Sequence, residues 1–397
     1  MKVIPDTKLD FKDVLIVPNR STVNSRKDVN LLRQFSFYHS PQILECIPIF
    51  CANMASIAGV EMANALSRRS MLAALHKYLS PEEIFEATGN NPRVFMSIGM
   101  KETDLTKLKE FHARYNYFPN ICIDVPNAYI SSFVNFCADV RDLCIDSIIM
   151  AGNVVTPEMT QELIIHGGVD IVKCGIGPGN SCTTRTTTGV SYPQVSVGIE
   201  CSEVAHGLKS GDKRLGLVCL DGGFKEVGDL SKGFVAGVDF AMSSYLFSGA
   251  EECCGEWTYE RDFDNEEYKE IELTREQVNN EAFITLLLKQ PSVQFINKSE
   301  FPLYSKDYVK IKIPIYTTKK RKLKHYGMSS HHAQEKHEGS QKDYRASEGK
   351  VSFVDYKGPV DDIIREILGG IRSTGTYIGA SSLKDFNRCG RFIKCLS

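Results

Sequence analysis

The segment GIGPGNSCTTRTTTGVSYPQ, residues 175–194, places a cysteine in a stretch with almost no apolar side chains. Such a composition favours neither a core helix nor a buried strand, and it predicts a surface loop. Cys182 lies between hydroxyl side chains, and the cation of Arg185 follows three residues later. Exposure beside a cation is the setting in which a thiol becomes a reactive thiolate. We therefore interpret Cys182 as a nucleophile and the other cysteines as incidental free thiols.

Eight short apolar runs recur along the chain, each about as long as a strand and apolar on both faces, as buried parallel strands are. They begin at Ile47, Met71, Arg93, Ile121, Ser147, Asp170, Gly216 and Asp239. Helix-like segments lie between them. Ser80, Pro81 and Glu83 form a capping-box sequence, and Thr156 with its following proline offers the same kind of start. Eight β-then-α units predict an α/β protein, a (β/α)8 TIM barrel. An open doubly wound sheet is the alternative and needs fewer units.

In such a barrel the active site lies at the carboxyl ends of the strands. The sequence DGG, which follows the seventh run, and the polar turn after the eighth predict a phosphate site on backbone amides. The predicted strand ends are polar and rich in glycine: Asn53, Lys77, Asp124, Gly152-Asn153, the Cys182 loop, Asp221-Gly222-Gly223 and Ser243-Ser244.

Composition excludes several classes of protein. The formal net charge is -2, so no overall field attracts nucleic acid or anionic membranes. No run of about 18 uncharged apolar residues predicts a membrane span, and the N-terminal residues do not resemble a signal peptide. The 13 cysteines are scattered, and the adjacent pair Cys253-Cys254 lacks a partner pair at zinc-site spacing. These features predict a reduced, cytoplasmic protein with no nucleic acid and no membrane as partner.

Several segments together resemble the inosine monophosphate dehydrogenase / guanosine monophosphate reductase family. They are GIGPGNSCTTRTTTGVSYPQ, MAGNVVT, YGMSS, YRASEGK and ILGGIRSTGTYIGA, and the forms around SCTTR and YRASEG favour the reductase branch. Dehydrogenases of the family usually carry two CBS modules after the second strand, and this sequence leaves no room for them. The resemblance implies one catalytic barrel over residues 1–397 with a mobile flap, no CBS module, and one long insert, residues 259–322, after the eighth strand.

The resemblance also implies an activity, the NADPH-dependent reductive deamination of guanosine monophosphate (GMP) to inosine monophosphate (IMP) and ammonia. Cys182 would attack purine C2 and form a covalent thioimidate intermediate. Thr184 and Glu348 would supply the proton that ammonia needs in order to leave. The family's potassium ion would bind the carbonyls of Gly177, Gly179 and Cys182, with Arg185 nearby. A homotetramer is the assembly that the resemblance implies.

The family's binding residues are transferred by motif. The nucleotide would be bound by Asp221, Gly222, Gly223, Ser244, Tyr245, Gly327, Met328, Ser329, Arg345, Ala346, Ser347 and Gly349. The cofactor would be bound by Ser25, Arg26, Lys77, Asp124, Val125, Pro126, Ile176, Gly177, Met328, Tyr344, Arg345, Ser373, Thr374, Gly375 and Thr376. The chain departs from the family pattern at Ala55, Pro126, Ala128, the Ser244-Tyr245 pair (two glycines in the family) and Gly375.

The insert is longer than an ordinary loop. The sequence LTREQVNNEAFITLLLKQP predicts a helix with Thr274 as its N-cap, and VKIKIPIY from Val309 predicts a half-exposed strand. We interpret KKRKLK from Lys319 as a solvated charged face rather than a nucleic-acid patch. The histidines of SSHHAQEKHEGS are interpreted as part of a polar lid rather than a metal site.

Two alternatives to the reductase remain open at this level. One is a dehydrogenase of the same fold, which would oxidise IMP with a water molecule on the same cysteine. The Arg-Tyr pair that activates water in the dehydrogenase flap is not found at its expected place. The other is a nucleotide-binding relative with impaired catalysis, which the departures and the insert would explain.

Overall fold

The computed structural model describes residues 3–89, 91–274, 308–339 and 346–395. The chain forms two compact units, one made of residues 1–256 and 323–397 and the other of residues 257–322. Within the described ranges, no helix combines the length and the apolar character that crossing a membrane requires.

The first unit is built on a closed barrel of eight parallel strands, which confirms the predicted TIM barrel. Each strand pairs with the next along the chain, and the eighth closes on the first through Met242 and Phe50. The strands span Ile49–Cys51, Leu72–Ala74, Val94–Ile98, Asn120–Asp124, Ile149–Val154, Ile171–Cys174, Leu217–Asp221 and Phe240–Ser243.

Large side chains fill the barrel interior and close its amino-terminal end. Phe50, Phe95 and Phe240 belong to one buried cluster. A hairpin of strands Arg33–Ser36 and Ile43–Cys46 covers this end, and its Phe35 ring lies 4.4 Å from that of Phe240. Because the amino end is filled by apolar side chains, the polar loops at the carboxyl end are left to form a site.

Two helices begin at the starts that the sequence predicts, and at one of them the capping hydrogen bond differs. Ser80 and Glu83 form a reciprocal capping box. Thr156 occupies the N-cap position, but its hydroxyl does not cap the helix and instead accepts a hydrogen bond from the Tyr129 hydroxyl at 3.1 Å. The α-helices are Val60–Arg68, Pro81–Thr88, Glu102–Tyr115, Ser131–Leu143, Pro157–Ile165, Thr184–Thr188, Gln194–Gly207, Val227–Ala236, His331–Glu338, Val360–Ile378 and Phe386–Cys389. Short 3-10 turns span Phe11–Asp13, Arg26–Asp28 and Leu383–Asp385.

Small sheets complete the described residues. Val14–Ile16 pairs with Phe392–Lys394, and Lys209–Ser210 pairs with Lys213–Arg214. A three-stranded sheet contains Glu256–Thr274, Tyr308–Tyr326 and Val351–Asp355, in that order.

The second unit, residues 257–322, contains most of two of these strands. The strand predicted from Val309 is confirmed as part of Tyr308–Tyr326, whereas the strand Glu256–Thr274 was not predicted. Thr274 is the last residue of its strand, and the rest of the predicted helix lies outside the described residues. In the basic run, Arg321 pairs with Glu260 at 3.4 Å, so this part of the run is charge-compensated.

Candidate active site

Three charged residues from neighbouring strands meet inside the carboxyl end of the barrel. Side chains of a strand alternate between its two faces. Asp124, Lys173 and Asp221 each follow, by two positions, an interior residue of the same strand: Cys122, Ile171 and Cys219. The pleat therefore turns all three polar side chains inward, one layer above the apolar core.

Lys173 is the centre of this layer. Its ammonium donates to Asp124 Oδ1 at 2.8 Å, to Asn153 Oδ1 at 2.9 Å and to Asp221 Oδ2 at 2.5 Å. Burial by itself would lower the pKa of Lys173, but the two carboxylates outweigh burial and hold that pKa well above its usual value. Burial opposes ionisation of Asp124, yet the ammonium keeps the pKa of this carboxyl below its usual range. Lys173 and Asp124 are therefore both charged at neutral pH.

A chain of hydrogen bonds links the loop cysteine to a carboxylate. The Cys182 thiol donates to Thr184 Oγ1 at 3.2 Å, and the Thr184 hydroxyl donates to Glu348 Oε2 at 2.7 Å. Cys182 is half-buried rather than exposed as the sequence suggested, because the Glu348 segment lies against its loop. The described contact of the thiol is the Thr184 hydroxyl, not the guanidinium of Arg185. This arrangement can move a proton between the sulfur and the carboxylate.

Backbone hydrogen bonds hold the two ends of this chain together. The Thr183 amide donates to the Glu348 carbonyl at 3.0 Å, and the Glu348 amide donates to the Ser329 carbonyl at 3.1 Å. A Cβ on Gly327 would lie 2.7 Å from the Ser181 carbonyl oxygen, so glycine is required for this close approach. Three separate segments are thus fixed around the thiol.

These groups line one cleft of about 230 Å³. The thiol, its hydroxyl partner and its carboxylate lie in the same cleft as the Lys173 layer. The lining residues are Ala52, Asn53, Met54, Lys77, Asp124, Val125, Pro126, Asn153, Lys173, Gly175, Ile176, Gly177, Pro178, Gly179, Ser181, Cys182, Thr184, Asp221, Gly222, Ser244, Gly327, Met328, Ser329 and Glu348.

Most predicted nucleotide-binding residues that are described lie at this cleft. Asp221, Gly222, Ser244, Gly327, Met328 and Ser329 line it. Gly222 has a φ of 82°, a conformation that favours glycine in the turn after the seventh strand. Gly223 packs against Pro178 and Phe11 beside the turn.

Tyr245 does not line the cleft. It has no positive φ, and its ring faces the Lys357 ammonium at 5.3 Å. At this position, where the resemblance implies glycine, the tyrosine ring thus lies away from the cleft.

The segment around Glu348 holds the remaining nucleotide candidates. Ser347 Oγ accepts from the His331 amide at 3.0 Å and donates to the Gly349 carbonyl at 3.1 Å, which ties the segment to the start of the His331–Glu338 helix. Ala346 precedes this tie and is exposed. Tyr344 and Arg345 lie outside the described residues.

The cofactor candidates fall into two groups. Lys77, Asp124, Val125, Pro126, Ile176, Gly177 and Met328 line the cleft. The Lys107 ammonium fixes the Lys77 segment by donating to the carbonyls of Lys77 at 2.8 Å and Leu79 at 3.1 Å.

The second group does not line the cleft. Ser25 caps the turn Arg26–Asp28, and Ser373, Thr374, Gly375 and Thr376 lie in the helix Val360–Ile378. The turn and the helix pack together where Gly375 faces Val29, and a Cβ on Gly375 would come within 2.7 Å of Val29. The two segments thus form one surface, separate from the cleft of the same chain.

The donors predicted to bind potassium share one loop. Gly177, Gly179 and Cys182 line the cleft together, and the Gly179 carbonyl already accepts from the Cys182 amide at 3.1 Å. Backbone carbonyl oxygens are the groups that replace the hydration shell of potassium in proteins, so the chemistry of the donor set fits the predicted ion. Arg185 is exposed on the helix Thr184–Thr188, and its Cβ is near Gly177. Among the described residues, no group of three or more histidines, cysteines or carboxylates could hold a metal ion.

The predicted lid carries a short helix, His331–Glu338, that packs on the barrel through apolar and aromatic contacts. Ala55, Tyr326 and Ala333 form a buried cluster with Tyr78 and Met328 packed against it. The Met328 sulfur accepts from the Ala55 amide at 3.4 Å. Ala55, where the resemblance implies aspartate, therefore supplies an apolar contact for this segment.

Sequence reasoning missed two residues that shape the cleft, Lys173 and Gln194. Lys173 is the centre of the charged layer and donates to Asn153, which the sequence placed at a strand end without a role. Gln194 donates to the carbonyls of Asp221 at 2.9 Å and Gly222 at 3.2 Å. A signal was available for Lys173, because a lysine inside the apolar run DIVKCGIG has to find partners within the barrel. Nothing in the loop sequence singled out Gln194, which begins the helix Gln194–Gly207 and is fully buried.

The fold and the site define a (β/α)8-barrel protein with a cysteine–threonine–glutamate chain at the carboxyl end of its sixth strand. Comparison with known proteins narrows this class. A sequence profile described as the IMP dehydrogenase / GMP reductase domain matches residues 8–272 and 313–397. The chain belongs to this family.

Its curated relatives align over nearly the whole chain. It is 40% identical over 398 residues to "GMP reductase 1" of Homo sapiens, with 99% of this chain and 96% of the relative covered. It is 38% identical over 400 residues to "GMP reductase" of Aeromonas salmonicida (strain A449), with the same coverage. It is 40% identical over 399 residues to "GMP reductase" of Buchnera aphidicola subsp. Acyrthosiphon pisum (strain Tuc7), again with 99% and 96% covered.

Proposed function

We propose that this protein catalyses the NADPH-dependent reductive deamination of GMP to IMP and ammonia. The observation that carries the proposal is the chain from the Cys182 thiol through the Thr184 hydroxyl to the Glu348 carboxylate. A nucleophile, a proton relay and a carboxylate are the groups that displacement of an amine from a purine requires. The names of the relatives support the same activity.

The first half of the reaction is assigned to these three residues. As the Cys182 sulfur bonds to purine C2, the thiol proton passes through the Thr184 hydroxyl to the Glu348 carboxylate. Glu348 then returns this proton to the amino group, the C2–N bond breaks, and ammonia leaves. A thioimidate between Cys182 and C2 remains. Proton transfer through an unbroken chain is required because an unprotonated amine is a poor leaving group.

The second half of the reaction needs a hydride at C2, which NADPH would supply when bound. Lys77, Asp124, Val125 and Pro126 form the wall that would hold the nicotinamide, because they share the cleft with Cys182. Bond formation between hydride and C2 is followed by departure of the thiolate, which leaves IMP.

The nucleotide would lie on the opposite wall. Asp221 would bind the ribose hydroxyls through oxygen lone pairs left free beside Lys173. The Gly222 amide donates to the Met242 carbonyl at 2.9 Å, so the amides after Gly222 and those of the turn at Ser244 would bind the phosphate. A potassium ion on the carbonyls of Gly177, Gly179 and Cys182 would hold the cysteine loop in place.

The surface formed by Ser25, Arg26 and residues 373–376 is separate from the cleft of its own chain. We assign it to the cofactor of a neighbouring subunit in a homotetramer. We also assign the protein to the cytoplasm, in agreement with 13 free thiols.

One steady-state assay tests the proposed function. Purified protein with GMP and NADPH should consume NADPH and release ammonia in equal amounts. Matched reactions with IMP and NAD test the dehydrogenase alternative. Faster turnover in the second reaction would replace the proposed activity, and binding of GMP without turnover in either reaction would favour the impaired relative.

A further inference from the structure

We propose that Lys173 is a positioning residue that couples the nucleotide side of the cleft to the cofactor side. The inference rests on the proposed function, which assigns Asp221 to the nucleotide and Asp124 to the cofactor. Both carboxylates bond to the one ammonium of Lys173. A change in the hydrogen bonding of either carboxylate is therefore felt by the other.

The depths of the three side chains support a role toward ligands. The Lys173 side chain is 3% exposed, whereas the side chains of Asp124 and Asp221 are 30% and 19% exposed. The Lys173 ammonium thus lies at the floor of the cleft, and the two carboxylates beside it are more exposed. We expect ligands to contact the carboxylates and to act on Lys173 through them.

All N–H groups of the Lys173 ammonium are used in hydrogen bonds. A lysine ammonium has three N–H donors, and here they are taken by Asp124, Asn153 and Asp221. In a water-poor interior, charge interactions are stronger than at the surface. When a ribose hydroxyl donates to Asp221, this carboxylate holds the ammonium less strongly, and the pairing with Asp124 strengthens in response.

A purely stabilising lysine would behave differently from a coupling lysine. Loss of a stabilising ion pair would lower the melting temperature and leave the affinity of each ligand unchanged. A coupling lysine predicts cross effects, in which a change to the carboxylate of one subsite alters the affinity of the other subsite. Binding measured with one ligand at a time separates the two cases.

The experiment measures the dissociation constants of GMP without cofactor and of NADPH without nucleotide by calorimetry. Asp124→Asn should weaken GMP binding, and Asp221→Asn should weaken NADPH binding, each by about threefold or more, as residues in one hydrogen-bond network typically couple. In the Lys173→Met background both cross effects should disappear. Lys232→Met is the matched control, because Lys232 pairs with Asp229 at 3.1 Å outside the cleft.

The results decide whether Lys173 couples the two subsites. Cross effects that vanish with Lys173→Met, while Lys232→Met leaves both constants unchanged, support coupling. Carboxamide variants that each affect only their own ligand would overturn it. If Lys173→Met does not fold, Asp124→Asn and Asp221→Asn alone provide the test. Weaker binding of the other subsite's ligand in each variant would support coupling, and unchanged binding would overturn it. Failure of the unmodified protein to bind GMP would instead overturn the proposed function, and the inference with it.

Discussion

Replacing Thr184 with valine tests the proton chain most selectively. Thr184→Val keeps the branched shape and removes the one hydroxyl that accepts from Cys182 at 3.2 Å and donates to Glu348 at 2.7 Å. Both hydrogen bonds of the chain are therefore lost in one substitution. General acid–base assistance is worth about 10²–10⁴ in rate, which corresponds to about 3–5 kcal/mol of activation free energy. We expect kcat for NADPH oxidation with GMP to fall by that factor.

The assay follows NADPH absorbance and ammonia release at saturating GMP. Thr186→Val is the matched control, because Thr186 lies on the same short helix and its exposed hydroxyl donates to the Thr183 carbonyl at 2.9 Å, away from the thiol. The control should stay close to the unmodified rate. The dissociation constant of GMP should change little in either variant. A Thr184→Val enzyme within about threefold of normal kcat, far short of the usual contribution of acid–base catalysis, would refute the proton chain.

Three further predictions follow from the same structure. Glu348→Gln should lower the rate of ammonia release by a factor of about 10²–10⁴. The affinity for GMP should stay nearly unchanged, because the backbone hydrogen bonds of residue 348 remain. An equal decrease in the rate of hydride exchange at C2 would show that Glu348 only orders its segment. Burial lowers the pKa of His325 from 6.5 to about 4. As the pH falls, the unfolded chain therefore binds a proton at this histidine before the folded protein does, and the folded state loses stability between about pH 6.5 and pH 4. For this one group the loss between pH 7 and pH 5 is about 2 kcal/mol; thermal unfolding of His325→Gln should show a smaller pH dependence, and an unchanged dependence would contradict this assignment. Replacing residues 262–320 with a short glycine-serine link should preserve measurable turnover in the steady-state assay, because every described residue that lines the cleft belongs to the other unit. A folded, nucleotide-binding variant with no turnover would make the insert part of the catalytic machinery.

The barrel could be predicted because its signal is local and repeated. Each strand is an apolar run buried on both faces, and starts such as that at Ser80 mark the helices between them. Eight such units have few alternative folds. The positions of the strand ends then place Asp124, Asp221 and the Cys182 loop at one end of the barrel without further information.

The details of the cleft depend on contacts between distant segments, which periodicity does not encode. Lys173 finds its partners on three other strands, and Cys182 is half-buried because a segment more than 150 residues away lies beside it. The predicted N-cap hydroxyl of Thr156 bonds to Tyr129 for the same reason, since a tertiary partner competes with the helix end. The first long strand, Glu256–Thr274, places Trp257, Tyr259, Phe263, Ile271 and Leu273 at alternate positions, so part of the strand signal was present in the sequence. Charged residues interrupt this alternation between Phe263 and Ile271, and the strand was not predicted.

Reaction in the reverse direction tests the central claim most directly. The protein is mixed with IMP and NADP⁺ without ammonia, and the NADPH formed and the mass of the peptide containing Cys182 are measured. The account predicts that NADPH formation stops at one equivalent per active site or below, that the nucleotide is attached to Cys182, and that added ammonium salt restores turnover and yields GMP. Continuous NADPH formation without ammonia, or NADPH formation with no modification of Cys182, would contradict it.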